Sequence, residues 1–313
     1  MVSVICVGIA VLDEIFAVGE IPTRPGKYFA SDYRSIGGGP ASTAAVAAAA
    51  MGARTALWAR VGEDRTGQQI IAELADFGVD VGQVRQVAGG RSGLSAVVVD
   101  AAGDRLTINF ADPALDADPA WLPLAHLEEA DAVLCDCRWP AGAEAVLRRA
   151  RQDGRIAVLD GDTTPDAAVK GLAPLASHVA FSEGGLQQFS GAAEPEAGLR
   201  IAEERLSGWL CVTLGANGCL VLEDGVIRAV PAFPVEAVDT TGAGDVFHGA
   251  LSVALAEGRD ALAAVRFASA AAALKCTRFG GRSGIPDRLQ VDRFLASRPV
   301  AENSGPPARR EVR

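Results

Sequence analysis

Short apolar runs recur along the chain at Val4–Ala10, Thr55–Val61, Ala132–Cys135, Ile156–Leu159, His178–Phe181 and Leu210–Leu214. Continuous apolar runs of this length predict strands buried on both faces of a sheet. Longer runs of helical character lie between most of them, at Pro40–Met51, Gly67–Phe77, Gly142–Gln152 and Pro195–Leu206. Strand alternating with helix predicts an α/β domain, a mainly parallel sheet covered on both faces. Two regions break the rhythm. Leu12–Ile36 and Gly93–Phe110 show short alternating runs, and Asp100-Ala-Ala-Gly-Asp104 reads as a hairpin turn within the second. These segments, about 12–36 and 93–111, predict a small separate sheet placed as a lid. Residues 1–299 read as the folded domain, and 300–313, with Pro306-Pro307, as a disordered tail.

One transition carries chemistry. A β-type run at Pro234–Val238 passes through Asp239-Thr-Thr-Gly-Ala-Gly-Asp245 into an Ala/Leu-rich helical run at Ala243–Glu257. N–H groups at a helix N-terminus lack intrahelical partners, and the helix dipole adds positive character there. Glycines let such a backbone approach an anion closely. Gly242, Ala243 and Gly244 thus read as a phosphate cradle, with Asp245 beside it to accept a proton from an attacking hydroxyl. His248, one turn further on, reads as a structural residue, and His126 and His178 as surface or strand-end residues.

Bulk properties narrow the classes. With 49% hydrophobic residues the chain is not disordered, and its formal charge of −10 argues against nucleic acid or an anionic membrane as partner. The Ala-rich runs at Ala41–Ala50 and Ala261–Leu274 are too short or too interrupted to span a bilayer. Val2–Ala10 reads as a first buried strand, not a signal peptide. Six cysteines stand singly or as C-x-C within apolar runs, as expected of buried free thiols in the cytoplasm.

Other phosphate loops can be excluded. Gly62-Glu-Asp-Arg-Thr-Gly67-Gln-Gln has Walker A glycine spacing, but Gln68 and Gln69 replace the Lys-Ser/Thr pair. Gly8 lacks the following glycines of a dinucleotide fingerprint. The Gly37-Gly38-Gly39-Pro40 loop opens a helix and reads equally as an anion-binding turn or a tight connection.

Taken whole, D-T-T-G-A-G-D resembles the C-terminal signature of the ribokinase-like (PfkB-type) carbohydrate kinases, and the resemblance extends over nearly the whole chain. It implies a three-layer α/β/α domain with a small β-sheet lid, phosphorylation of a sugar hydroxyl by ATP with Mg²⁺, and a homodimer formed through the lid. Residue by residue it implies that Asp13, five positions after Gly8, binds sugar hydroxyls. Gly38, Gly39 and Ser42 fall in the second sugar motif, where Ser42 replaces the family's Asn. Thr213, Gly215 and Gly218, in T-L-G-x-x-G, would contact nucleotide. Asp160 and Asp162 match a D-x-N string near the transferring phosphate. The N-x-x-E motif is degraded to Ser182-Glu183-Gly184-Gly185, which leaves Glu183 nearby and implies no direct protein ligand for Mg²⁺. A monovalent cation such as K⁺, frequent in the family beside the anion hole, would take carbonyls around Asp239 and Arg278–Ser283.

Further strings are similar to the sulfofructose kinases of sulfoquinovose breakdown: Gly26-Lys27-Tyr28, Gly37–Ala49, Asp136-Cys-Arg138-Trp139, Val158–Pro165 and Arg266–Arg278. This implies transfer to the C1 hydroxyl of 6-deoxy-6-sulfofructose. A C6 sulfonate needs donors, and Lys27, Asn109 and Arg138 would supply an ammonium, an amide and a guanidinium. Fructose, ribose or another neutral sugar is the alternative substrate. A non-enzymatic sugar sensor is the third reading, opposed by an intact Asp245 beside an intact Gly-Ala-Gly.

Overall fold

The computed structural model describes residues 1–298 apart from 102, 103 and 116. The tip of the expected Asp100–Asp104 turn and the expected 300–313 tail lie outside the described residues. Along the chain, β1 (Ser3–Val7), β2 (Val11–Ala17), β3 (Asp32–Gly38), α1 (Pro40–Ala50), β4 (Arg54–Gly62), α2 (Arg65–Asp76), β5 (Asp80–Val87), β6 (Gly93–Val99) and β7 (Arg105–Phe110) come first. They are followed by β8 (Ala132–Cys135), α3 (Pro140–Gln152), β9 (Ile156–Gly161), α4 (Val169–Leu172), β10 (His178–Ser182), α5 (Glu183–Ser190), α6 (Pro195–Arg205) and β11 (Trp209–Thr213). Then come β12 (Cys219–Glu223), β13 (Val226–Val230), α7 (Ala243–Ala256), α8 (Ala261–Cys276) and α9 (Arg288–Ala296).

The six expected buried strands form the centre of a sheet ordered β13-β12-β11-β10-β9-β8-β1-β4-β5. Pairing is parallel from β11 through β5 and antiparallel at β11–β12 and β12–β13. The β12–β13 hairpin turns on Asp224 (φ 49°) and Gly225 (φ 74°), the left-handed pair that a two-residue loop favours. Side chains alternate across the sheet. Val4 and Cys6 of β1 pack with α1, α7 and α8 on one face, and Ile5 and Val7 pack with α3 on the other. This is the three-layer arrangement that alternating buried strands and helices dictate.

Pro234–Val238 departs from the reading as a strand. It is unpaired with the sheet, and the Val238 and Asp239 N–H groups donate instead to Cys276 O at the end of α8 (2.7 and 3.1 Å). Pro231 and Pro234 have no N–H for a ladder. Phe233 turns inward, edge-on to Phe294 at 5.2 Å.

The two alternating regions form a four-stranded sheet, β3-β2-β6-β7. Its register aligns Ile36, Asp13, Ser95 and Asn109 in one row on one face. On the opposite face Leu12 is buried against the domain, while Phe16, Tyr33, Leu106, Ile108 and Phe110 are exposed.

Helices α1 and α7 cross closely because their contact residues are small. A Cβ at Gly249 would lie 2.3 Å from Ala44 O and 2.9 Å from the Ala47 Cβ. Gly249→Val must therefore push the helices apart, with an expected loss of about 1–3 kcal/mol in denaturant unfolding. An unchanged midpoint would contradict this packing.

Candidate active site

The chain leaves β1 toward β4 on one side and returns through β8 on the other. Ligands of open α/β sheets bind outside the carboxyl ends of strands at such a reversal. Here those ends carry Gly8, Asp136, Asp160, Asp162, Ser182 and Thr213. Asp136 is buried and fastens the crevice. Its carboxylate accepts from Ile9 N (3.0 Å), Ala41 N (3.1 Å) and Arg138 N (2.8 Å). Burial pushes its pKa up, and these three N–H groups oppose the shift. Gly8 is required beside it, since a Cβ there would fall 2.1 Å from Asp136 Oδ2.

The Thr240–Asp245 turn enters α7 through Gly242, whose φ of 73° suits glycine. Two cavities meet at this turn. The larger, of about 410 Å³, is lined by Thr213, Gly215, Gly218, Thr240, Ala243 and Gly244. The smaller, of about 40 Å³, is lined by Asp13, Gly38, Gly39, Gly242, Asp245 and Arg282. Of the residues expected at nucleotide, Thr213, Gly215 and Gly218 line the larger cavity, and of those expected at sugar, Asp13, Gly38 and Gly39 line the smaller, with one turn as their common wall. Asp162, Glu183, Lys27, Ser42, Asn109 and Arg138 line neither. Ala243 differs from its expected role as an anion donor. Its N–H donates to Thr240 O at 3.2 Å and closes the turn.

Burial, followed by the charge of Asp160, pushes Asp245 up to about 7. That is where a base titrates when it must release and accept protons near neutrality. Asp160 is itself raised by burial and by Asp162 and Asp136. His248 is buried, and burial lowers its pKa so that the ring stays neutral. Its Nε2 lies 3.1 Å from Ala180 O, which makes that nitrogen the donor and ties α7 to β10.

Arg282 and Glu73 were not singled out in the sequence. Arg282 is 2% exposed and donates to Gly38 O (2.8 Å) and Ser42 Oγ (2.6 Å), while facing Glu73 Oε1 at 3.4 Å. Glu73 also accepts from Gly37 N at 3.1 Å. A charged residue inside the Gly280-Gly-Arg-Ser-Gly284 run was the available signal. Ser42 takes a scaffold position. It is fully buried, and its hydroxyl donates to Gly38 O at 2.6 Å. Its Oγ also accepts from Arg282 Nη2 at 2.6 Å.

Asp13 carries a pKa raised by burial, with Ser95 and Arg282 acting against the rise. Asn109 is exposed two strands away in the same row. Lys27 is exposed on the connection between β2 and β3. The Arg138 guanidinium is ion-paired with Asp162 at 2.9 Å, and Asp162 Oδ1 accepts from Ser182 Oγ at 2.8 Å. Ser182 also caps α5 by accepting from Gly185 N at 2.9 Å, leaving Glu183 exposed in the first turn. Among the described residues no cluster of three His, Cys, Asp or Glu could hold a metal ion.

Comparison with known proteins agrees with this geometry. Residues 1–288 match the family model described as pfkB family carbohydrate kinase. The chain is 29% identical to the ribokinase of Bacillus subtilis over 298 residues, covering 95% of this chain and 100% of that one. It is 28% identical to fructokinase-1 of Oryza sativa subsp. japonica, covering 84% and 89%. A crystal structure of a "putative ribokinase" from Agrobacterium tumefaciens superposes with a TM-score of 0.91 at 40% identity, covering 94% and 97%.

The Asp245 environment gives two signs to test. With Asp245 as the base, kcat/KM should fall about tenfold per pH unit below about 7. The folded pKa lies above the ordinary value of 3.8, so stability is fully present below pH 3.8 and is lost as pH rises through about 7. Asp245→Asn should therefore melt higher than wild type at pH 8, converge with it toward pH 4, and lose roughly 10²–10⁴ in kcat. Near-normal kcat in the variant would remove Asp245 as the base.

Proposed function

The chain belongs to the pfkB family of carbohydrate kinases, and on that premise we propose that it transfers the γ-phosphoryl group of ATP to the C1 hydroxyl of 6-deoxy-6-sulfofructose. One observation carries the reaction: the Thr240–Asp245 turn walls both the larger cavity, suited to a nucleotide, and the smaller one that holds Asp245. Nucleotide in the first puts its terminal phosphate against Gly242 and Gly244, where a helix N-terminus stabilises anionic oxygens. A sugar oriented by Asp13 and the Gly38-Gly39 backbone brings a hydroxyl to Asp245, which accepts its proton as the oxygen attacks phosphorus. Mg²⁺ supplies charge neutralisation on the phosphates, held by phosphate oxygens and water. The small size of this cavity supports reading the four-stranded sheet as a lid that opens to admit a sugar and closes to exclude water.

Substrate choice rests on the similarity to sulfofructose kinases and on three polar residues, Lys27, Asn109 and Arg138. Asn109 continues the row of Asp13 and Ser95, Arg138 follows β8, and Lys27 lies on the connection preceding β3. A neutral sugar is the second reading. It is favoured by the Asp162 carboxylate that already neutralises Arg138 and by relatives named ribokinase and fructokinase. Six free thiols suit a cytoplasmic enzyme. The exposed apolar face of the lid, with Phe16, Tyr33, Leu106, Ile108 and Phe110, suits a homodimer that covers it.

Purified protein should show a kcat/KM for 6-deoxy-6-sulfofructose that exceeds those for fructose and ribose. Lys27→Ala and Arg138→Ala should each lower the sulfonate value by about 10–100-fold while sparing fructose, as expected of charge-assisted hydrogen bonds. Equal losses on neutral sugars would remove the sulfonate pocket and leave the neutral-sugar reading. Light scattering should give twice the 32.2 kDa chain mass, and Ile108→Lys should shift it toward the monomer. A monomeric wild type would exclude the dimer.

A further inference from the structure

The monovalent cation that the family resemblance implies beside the anion hole meets a side chain already in place. Lys275, in the last turn of α8, is 0% exposed. Its Nζ donates to the backbone carbonyl of Asp239 at 2.9 Å and lies 3.2 Å from the Asp239 carboxylate, Oδ2. The other carboxylate oxygen accepts from Thr241 N at 2.9 Å, and Oδ2 also accepts from Gly280 N at 3.2 Å and Gly281 N at 3.4 Å. Asp239 therefore joins the phosphate-cradling turn to the 280–284 loop that carries Arg282. Burial acts to raise its pKa, yet the Thr241 hydrogen bonds and the Lys275 charge hold it well below the usual carboxylate range. A metal ion binding the same carbonyl and carboxylate would sit against a buried ammonium with no solvent to screen it. The residues present do not fit a second cation there.

We propose that Lys275 is a tethered substitute for a monovalent metal ion: its ammonium fixes Asp239 and the adjoining Thr240–Gly244 turn, so that phosphoryl transfer needs no added monovalent cation. Lys275 is a positioning residue, acting through Asp239 on the N–H groups that face the phosphate. The fixed charge comes from a helix end already anchored, because the next residue, Cys276, accepts from both Val238 N and Asp239 N. The inference rests on the sugar-kinase reaction of the family and is indifferent to which sugar is used.

The test follows ADP release with 6-deoxy-6-sulfofructose, fructose and ribose, using whichever the enzyme turns over fastest. Rates are compared in KCl, NaCl, NH₄Cl and tetramethylammonium chloride at matched ionic strength. Wild type should give the same kcat in all four, and its melting temperature should not depend on which cation is present. Lys275→Met should lose roughly ten- to a hundredfold in kcat in tetramethylammonium chloride, as loss of preorganised charge does. KCl or NH₄Cl should restore part of that loss and raise the variant's melting temperature, a rescue that a merely structural lysine would not show. Activation of wild type by K⁺ would overturn the proposal, as would a folded Lys275→Met enzyme that is fully active without small cations or is not rescued by them. If the variant fails to fold, the wild-type cation series decides alone. Absence of turnover on every sugar would instead count against the enzymatic reading, and a K⁺-dependent melting temperature of wild type would still overturn this one.

Discussion

The close crossing of α1 and α7 is the constraint on which the crevice depends. Alanines 44 and 47 and Gly249 leave no bulk between the two helices, so their N-termini open toward the same small cavity. One terminus brings the Gly37–Gly39 backbone and the other brings Gly242 to Asp245. Wider spacing would separate the Gly37–Gly39 backbone from Asp245. The small side chains of α1 and the missing one at Gly249 of α7 are what allow this approach.

Charge placement then sets the chemistry. The chain carries a formal charge of −10, and several of its carboxylates gather around one crevice, Asp136, Asp160 and Asp162 at strand ends and Asp245 in the first turn of α7. Burial raises the pKa of Asp136, Asp160 and Asp245, and repulsion from neighbouring carboxylates adds to the rise at Asp160 and Asp245. The structure offsets this locally. Three N–H groups hold Asp136, Arg138 meets Asp162, and Arg282 lies between the Gly37–Gly39 loop and Glu73. Asp239 is the opposite case, kept ionised by Lys275 and by N–H donors. Two aspartates six positions apart in one motif therefore have different electrostatic roles, one poised to titrate and one fixed. An anionic nucleotide meets positive character here from helix termini and isolated cations, not from the net charge of the surface.

Much of this was legible in the sequence because it follows from local rules. Continuous apolar runs became the central strands, and Gly-x-Gly before an Ala-rich run became a helix N-terminus. Short alternation at Leu12–Ile36 and Gly93–Phe110 became the second sheet. What stayed hidden depends on contacts between residues far apart. Pro234–Val238 has strand-like composition, but its prolines and the docking of Phe233 turn it away from the ladder. Ser42 looks like a shortened sugar ligand until Arg282, 240 positions later, is seen to take its hydroxyl. Lys275 reads as an ordinary last-turn lysine, and only the return of the chain past Asp239 makes it a buried partner. Arg138 could be placed after a strand, but its pairing with Asp162 could not be read from spacing.

The central claim is that phosphoryl transfer crosses the single turn shared by the two cavities. A crystal structure with a non-hydrolysable ATP analogue, Mg²⁺ and the accepted sugar tests it most directly. The terminal phosphate is expected against Gly242–Gly244, with one sugar hydroxyl about 2.6–3.2 Å from the Asp245 carboxylate on the other side of the turn. A nucleotide bound away from the Thr213–Gly218 cavity, or a sugar whose nearest hydroxyl lies beyond reach of Asp245, would contradict it.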